Sequence, residues 1–407
     1  MVSWTHQLLN GSLNSDYRNT NRKPPLQIVR LSGREFTLKE NQNGGMGRQS
    51  IVCSQQKMTK RNIVLIVIFL LFAATIFAVS NTSILTHTEA FVEGQGNEMI
   101  TNAIEKLNNG ADMIVFEKNV NLDNREIADR IYDNPDLFWI DMNYKMVDLG
   151  RFTIMMFDSK YEDLDVKKDA IEDAADSIID MLIDREDDEY TKVLKIHDWI
   201  CDNVQYGAAA DTSDQDIYGA LIKKTTRCAG YAKLFTYLLE RANIESEVIS
   251  GVAVDETNER IPHAWNLVYI DDEAYYFDIT WNDEDSYISY DWFGVTYGEF
   301  SKTHFPSNGY LWNKDATATD ANYYIKNRQY IKEFSPSAIA HQINKQGLTF
   351  SFKCANRETM EYIEDCLKGN NRGALQKIMF ETNISTIDSI SYIKNDSVYC
   401  FRVTIHK

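Results

Sequence analysis

Counted from Tyr231, the residues Leu234, Phe235, Leu238 and Leu239 fall at i+3, i+4, i+7 and i+8. That spacing predicts a helix with one broad apolar face. Cys228 falls at its first turn, where a polar loop gives way to the stripe. A thiol at that end of a helix feels the positive end of the helix dipole, which favours thiolate. Strand-like segments follow at Glu247 to Val254, Ala264 to Ile270 and Ala274 to Thr280. The last two read as an antiparallel hairpin joined at Asp271-Asp272-Glu273, with His263 opening its first strand and Asp278 near the end of its second.

Cys228, His263 and Asp278 are, by type and order, a nucleophile, its base and the group that orients the base. Whether they meet depends on register. In an antiparallel pair, opposed residues have a constant sum of numbers. An odd sum places His263 and Asp278 on one face, and a sum of 543 makes them diagonal neighbours within side-chain reach. A sum of 544 places them on opposite faces. The triad therefore requires a two- or four-residue loop, or a bulge. Asp278, set among Tyr276, Phe277, Ile279 and Trp281, needs a polar partner if it is buried.

The chain has 407 residues, enough for two or three domains. Its net charge of −18 is unevenly spread. Residues 1–61 hold 10 Lys/Arg against 3 Asp/Glu, and the remainder holds 32 against 57. An acidic body excludes nucleic acid as an expected partner. The cysteines at 53, 201, 228, 354, 366 and 400 form no Cys-x-x-Cys pair, so neither a structural zinc site nor any other metal or cofactor is expected. One bridge among Cys354, Cys366 and Cys400 is left open.

Ile63 to Val79 is an uncharged apolar run of 17 residues preceded by Lys57, Lys60 and Arg61. Two readings stand: an uncleaved membrane anchor with a cytoplasmic N-terminus, or a signal peptide over 58–80 cleaved near Ala78-Val79-Ser80. Residues 1–57 read as disordered, or as an over-extended start with the true one at Met58. Under either reading the body is expected at the cell surface or secreted.

Residues 90–160 read as a small α+β lead-in without chemistry. Its helices lie around Met99 to Leu107 and Ile127 to Tyr132, and its strands at Met113 to Phe116, Tyr144 to Val147 and Phe152 to Phe157. Two helices follow, with stripes from Ile171 to Leu182 and from Tyr190 to Val204. The acidic face of the first reads as solvated. In the second, His197 and Cys201 lie four apart on the apolar side and read as a core pair before they read as metal ligands. The tail at 325–407 reads as a small α+β region with strands at Leu348 to Phe352 and Ser397 to Ile405 and a helix from Glu358 to Leu367. His304 reads as structural, and Trp265 and Trp281 as either core or cleft wall.

The runs Thr226-Arg227-Cys228-Ala229-Gly230-Tyr231-Ala232, Pro262-His263-Ala264-Trp265-Asn266 and Tyr276-Phe277-Asp278-Ile279-Thr280-Trp281 resemble the core motifs of the transglutaminase-like superfamily in its bacterial exported branch. The likeness covers roughly residues 185–310. It extends less specifically to Asp291-Trp292-Phe293 and Thr303-His304. It implies an α+β, papain-like catalytic domain over 161–320, with a thiol-bearing helix packed on an antiparallel sheet and small α+β flanking regions. It implies Cys228 as nucleophile, His263 as base and acid, and Asp278 as orienter. An oxyanion donor upstream of the nucleophile is also implied, with Gln205, Tyr206 and Tyr218 as candidates. Nothing corresponds to the calcium sites or flanking β-sandwiches of animal transglutaminases.

The function expected from this is acyl transfer through a Cys228 thioester on amide bonds of polypeptide or cell-envelope peptide substrates, ended by water or by an amine. The competing expectation is a catalytically silent binding module of the same fold at the cell surface.

Overall fold

Short range fixes most of the elements, and the long-range strand pairings fix the site. The computed structural model describes residues 91–92, 96–117, 124–148, 150–208, 213–307 and 312–407. The expectations for 1–57, 58–80 and the 63–79 run lie outside these residues. Among the described residues no helix is long and apolar enough to cross a membrane.

The described residues fall into two units. The smaller comprises β1 (Phe91–Val92), α1 (Asn97–Asn108), β2 (Met113–Glu117), β3 (Lys145–Asp148) and β4 (Phe152–Met156). Its sheet runs β1-β2-β4-β3, with β1 parallel to β2 and the other pairs antiparallel. Met99, Ala103 and Leu107 of α1 are buried, as are Ile114 and Phe116 of β2.

The larger unit takes in 124–140 as well as everything from Ser159 onward, so the expected 90–160 lead-in is divided between the two units. Its first helix, α2 (Asn124–Asp133), is tied to the main sheet by a 2.5 Å hydrogen bond from Ser250 Oγ to Asp133 Oδ1. Then come α3 (Leu164–Leu182), α4 (Glu189–Asn203), β5 (Gln205–Tyr206), α5 (Ile217–Leu221), β6 (Thr225–Thr226) and α6 (Cys228–Arg241). The face of α3 that carries Ile171, Ala175 and Ile178 is buried, and its acids lie mostly toward solvent.

Helix α6 is the core of this unit, and every residue from Ala229 to Leu239 is buried. It stops where Asn243 takes a left-handed conformation and Ile244 returns its N–H to Leu239 O at 2.9 Å, a common way to close a helix. It packs on β7 (Ser246–Val254) and β8 (Arg260–Ile270) of the antiparallel sheet β12-β7-β8-β9, completed by β9 (Glu273–Phe277) and β12 (His304–Pro306). A helix on an antiparallel sheet is the α+β arrangement expected. Behind the sheet, Trp265, Tyr276, Trp292, Phe300 and Tyr324 form an aromatic core.

Between β9 and β12 run α7 (Ile279–Asn282), β10 (Asp283–Glu284), β11 (Tyr287–Ile288) and α8 (Tyr297–Phe300). After α9 (Tyr323–Lys326) comes the C-terminal region: β13 (Tyr330–Ile331), α10 (Pro336–Gln346), β14 (Thr349–Cys354), α11 (Arg357–Leu367), α12 (Arg372–Thr382), β15 (Ser389–Asn395) and β16 (Cys400–His406). Its sheet runs β13-β14-β16-β15 and shares a core with α10, α11 and α12. Cys354, Cys366 and Cys400 are all free thiols, so the bridge left open is not formed here.

Candidate active site

The position of Cys228 is set first by what precedes it. Strands β5 and β6 pair in parallel, Gln205 with Thr225 and Tyr206 with Thr226. Asp214 O then accepts from both Thr226 Oγ1 (2.9 Å) and Arg227 N (3.0 Å), and Asp214 Oδ2 pairs with Arg227 Nε at 3.0 Å. Arg227 is thereby held extended as the N-cap, and Cys228 begins α6 half-buried. Two residues on, Gly230 is closed in: a Cβ there would collide with the Thr226 side chain. Its smallness serves the seating of the helix on β6.

His263 and Asp278 are placed by register. Strands β8 and β9 pair with a sum of 543, as in Asn266 with Phe277. The loop is therefore the two residues Asp271-Asp272, with Glu273 already in the strand. Both loop residues have positive φ, 52° and 65°. This is the turn whose twist suits a two-residue hairpin. The second strand ends at Phe277, three residues short of the expected Thr280. Asp278 instead caps the short helix α7, its Oδ1 accepting from Trp281 N at 3.1 Å. The break follows from that cap, since an Asp side chain that accepts from the third residue on competes with continued strand pairing.

Asp278 still lies diagonally beside His263. Their contact, His263 Nε2 to Asp278 Oδ2, is 2.6 Å and buried. With Nε2 so engaged, Nδ1 is the nitrogen left to serve a thiol, and Cys228 stands near enough to help raise the His263 pKa. Burial by itself would lower the His263 pKa. The Asp278 charge and hydrogen bond, reinforced by Cys228, outweigh it and raise the pKa. Burial would likewise raise the Asp278 pKa, but His263 and then His304 hold that carboxyl well below the usual range. The indole of Trp281 stacks on the His263 ring at 5.0 Å, while Trp265 is fully buried in the aromatic core.

A further residue joins the site that sequence reasoning had read as structural. His304, fully buried, brings Nε2 to within 3.1 Å of the same Asp278 Oδ2. The resemblance touched it only weakly, at Thr303-His304, and gave it no role. Only the pairing of β12 with β7, His304 opposite Ala253, carries it there. The ligand atoms of His263, Asp278 and His304 all lie within 4.8 Å of one another, a donor set of the kind metals use. The 2.6 Å and 3.1 Å contacts to Oδ2 are hydrogen-bond lengths, with one carboxylate oxygen accepting from two rings.

Of the three upstream candidates, Gln205 is exposed. The Tyr218 ring meets Tyr161 and the ammonium groups of Lys167 and Lys223. Tyr206 shares its surroundings with the thiol: burial first, then the charge of Cys228, push its hydroxyl above the ordinary phenol range. Across α6, Tyr132 of α2 packs against Ala229, Ala232, Val248 and Ala264. Its ring lies 3.6 Å from Nζ of the buried Lys233, whose pKa burial lowers to about 8.

The second Cys/His pair is a brace. His197 Nδ1 meets Asp198 Oδ1 at 2.9 Å and Nε2 meets Asn282 Nδ2 at 3.1 Å, with Cys201 Sγ 4.0 Å from the same Nε2. Asn282 Oδ1 accepts from Trp292 N at 3.0 Å, which ties the end of α7 to the 289–293 loop.

Residues 176–291 match the family model of the transglutaminase-like superfamily. Kyphoscoliosis peptidase of Homo sapiens is 24% identical over 171 residues, covering 37% of this chain and 26% of its own length. Kyphoscoliosis peptidase of Mus musculus is 24% identical over 179 residues, covering 41% and 27%. The chain thus spans about a quarter of the length of these curated relatives. A solved structure of a TGase is 16% identical, covers 41% of this chain and 50% of its own, and superposes with a TM-score of 0.24.

Proposed function

Since this chain carries a domain of the transglutaminase-like superfamily at residues 176–291, we propose that it is a cysteine enzyme acting on amide bonds by acyl transfer through a Cys228 thioester. One observation carries this reading. His263 is held by Asp278 through a buried Nε2 contact of 2.6 Å, which leaves Nδ1 for a thiol, and Cys228 is among the groups that raise its pKa.

In the proposed mechanism His263 Nδ1 takes the Cys228 proton as the sulfur attacks an amide carbonyl. The imidazolium formed is stabilised by the buried Asp278 carboxylate, which also fixes the ring's tautomer. Negative charge grows on the carbonyl oxygen. The Cys228 backbone N–H, at the first turn of α6, has no acceptor within its own helix and is the first donor proposed for that oxygen. The Tyr206 hydroxyl is the second donor. His263 then gives its proton to the leaving amine, and a thioester remains on Cys228. Water releases an acid, as in a peptidase or amidase; an amine yields a cross-link. The name of the curated relatives, peptidase, supports water as the acceptor. The proposed substrate is a polypeptide or cell-envelope peptide, met outside the cell.

The test is a trapped acyl-enzyme. The protein is mixed with a peptide ester ending in glutamine or glycine, quenched in acid and weighed intact. The reading predicts one acyl mass on the peptide containing Cys228, absent from Cys228→Ala. Added hydroxylamine or a primary amine then reports which acceptor clears it. No acyl adduct on Cys228 with any of a panel of esters, in folded protein, would favour the silent binding module instead.

A further inference from the structure

The proposed mechanism uses one contact of Asp278 and leaves another unexplained. Oδ2, the oxygen that holds His263, also meets His304 Nε2 at 3.1 Å, and both rings are almost wholly buried. Asp278 is otherwise held by Trp281 N on Oδ1 and by its own N–H on Trp292 O at 3.1 Å. His304 itself is clamped. Phe300 stacks on it at 3.8 Å, and Trp265, Trp281 and Trp292 stand around it at 4.7–5.1 Å. Its Nδ1 lies 2.9 Å from Thr303 Oγ1. The titratable groups facing it are Asp278, from the β9–α7 junction, and His263, from β8. The rest of its wall is aromatic.

A ring in such a wall is costly to charge, and burial lowers the His304 pKa to about 4. It then has one N–H to give, and among the described residues the carboxylate oxygen that meets Nε2 is the one His263 uses. We infer that His304 is a positioning residue: a neutral imidazole whose Nε2–H pins Asp278 Oδ2, keeping that carboxyl ionised and aimed while His263 gains and loses its proton. This inference rests on the triad reading above. It adds that the orienting group is itself oriented, by a residue 26 positions away on another strand.

The experiment has two parts. In the wild-type protein, labelled with ¹⁵N-histidine, the His304 ring should show a neutral Nε2–H tautomer at every pH from about 5 to 8. A cationic His304 or an Nδ1–H tautomer in that range overturns the inference. In the second part, Cys228 alkylation by iodoacetamide is followed against pH in wild type, His304→Phe and His304→Gln. Phe keeps a ring but gives no hydrogen bond, so the rate near pH 6 should fall about 10- to 100-fold and its acid limb should move up. Gln, whose amide can donate, should recover part of the loss. A folded His304→Phe with the wild-type profile overturns the inference. Should Phe fail to fold, the tautomer and the Gln profile decide. A wild-type Cys228 with no activation at all would sink the triad reading instead, and the His304 resonance would still report the bond to Asp278.

Discussion

Two Cys/His/Asp groups lie among the described residues, and they differ in almost everything except residue type. Cys201, His197 and Asp198 sit within one helix, α4. Cys228, His263 and Asp278 come from a helix start, a strand and a helix cap. In the first group the imidazole is spent on Asp198 and Asn282, and burial together with the carboxylates of Asp283, Asp198 and Asp202 pushes the Cys201 thiol up. In the second, the carboxylate backs the imidazole, raises its pKa and leaves one nitrogen for sulfur. The lesson is that a thiol and an imidazole four apart on one helix make a packing unit. The same residue types brought together across the fold, with one imidazole nitrogen left over, are the arrangement that the proposed proton transfer needs.

The comparison can be broken most sharply at the nucleophiles. Cys228→Ala should cut amide or ester turnover by at least ~10⁴-fold, whereas Cys201→Ala should leave it within about twofold. Comparable losses in both, measured on folded protein with the ester panel, would erase the distinction. Next comes the acid. Asp278→Asn, which keeps the shape but favours the wrong tautomer of His263, should cost about 10³- to 10⁴-fold in turnover rate. Asp198→Asn should cost little.

The brace predicts effects on stability rather than on rate. His197→Ala leaves Asn282 without its partner and opens space beside Phe293 and Tyr290. It should destabilise by about 2–3 kcal/mol in urea unfolding. Cys228 alkylation in the folded variant should stay within about tenfold of wild type, since His197 touches none of the reacting atoms.

The smallest effect concerns Asp283, which follows the brace. Tyr231 OH stands 2.5 Å from Asp283 Oδ2 and 3.0 Å from Val204 O, with one proton for two acceptors. Burial first, then nearby Asp285 and Asp202, push Asp283 up to about 6 from an ordinary 3.8. The folded state therefore binds more protons than the unfolded one between those values, and stability from this group is lost as pH rises through the window. Asp283→Asn should be near neutral at pH 4 and gain on the order of 1 kcal/mol at pH 7–8. A gain independent of pH, by thermal unfolding, would contradict that account.

Much of this site was legible before any coordinates. The stripe from Tyr231 to Leu239 gave α6, and the odd-sum condition named the register that β8 and β9 adopt. The turn was harder to read. Asp-Asp is not a common pair for a loop with both φ positive, so Glu273 was counted into it. The end of β9 was missed because Asp278 has two local uses, strand residue or cap, and only the Trp281 N–H decides between them. In the tail, α10, α12 and β15 escaped notice. Their apolar residues are sparse, as in the alternation of β15, where Ile390 and Tyr392 are only half-buried. His304 was the most consequential gap. The likeness at Thr303-His304 marked it only weakly, a lone histidine carries no periodic signal, and its meeting with Asp278 depends on the β12–β7 pairing.

The central claim is that Cys228 and Cys201 differ in chemistry because His263 keeps one nitrogen for a thiol, whereas Asp198 and Asn282 take up both nitrogens of His197. Iodoacetamide labelling of both thiols in one protein, followed by peptide mass spectrometry from pH 5 to 9, measures that difference directly. The account predicts rapid labelling of Cys228 below pH 7, slow labelling of Cys201 throughout, and collapse of the Cys228 rate toward that of an ordinary thiol in His263→Ala. Equal rates for the two cysteines in wild type, or a Cys228 rate untouched by His263→Ala, would contradict it.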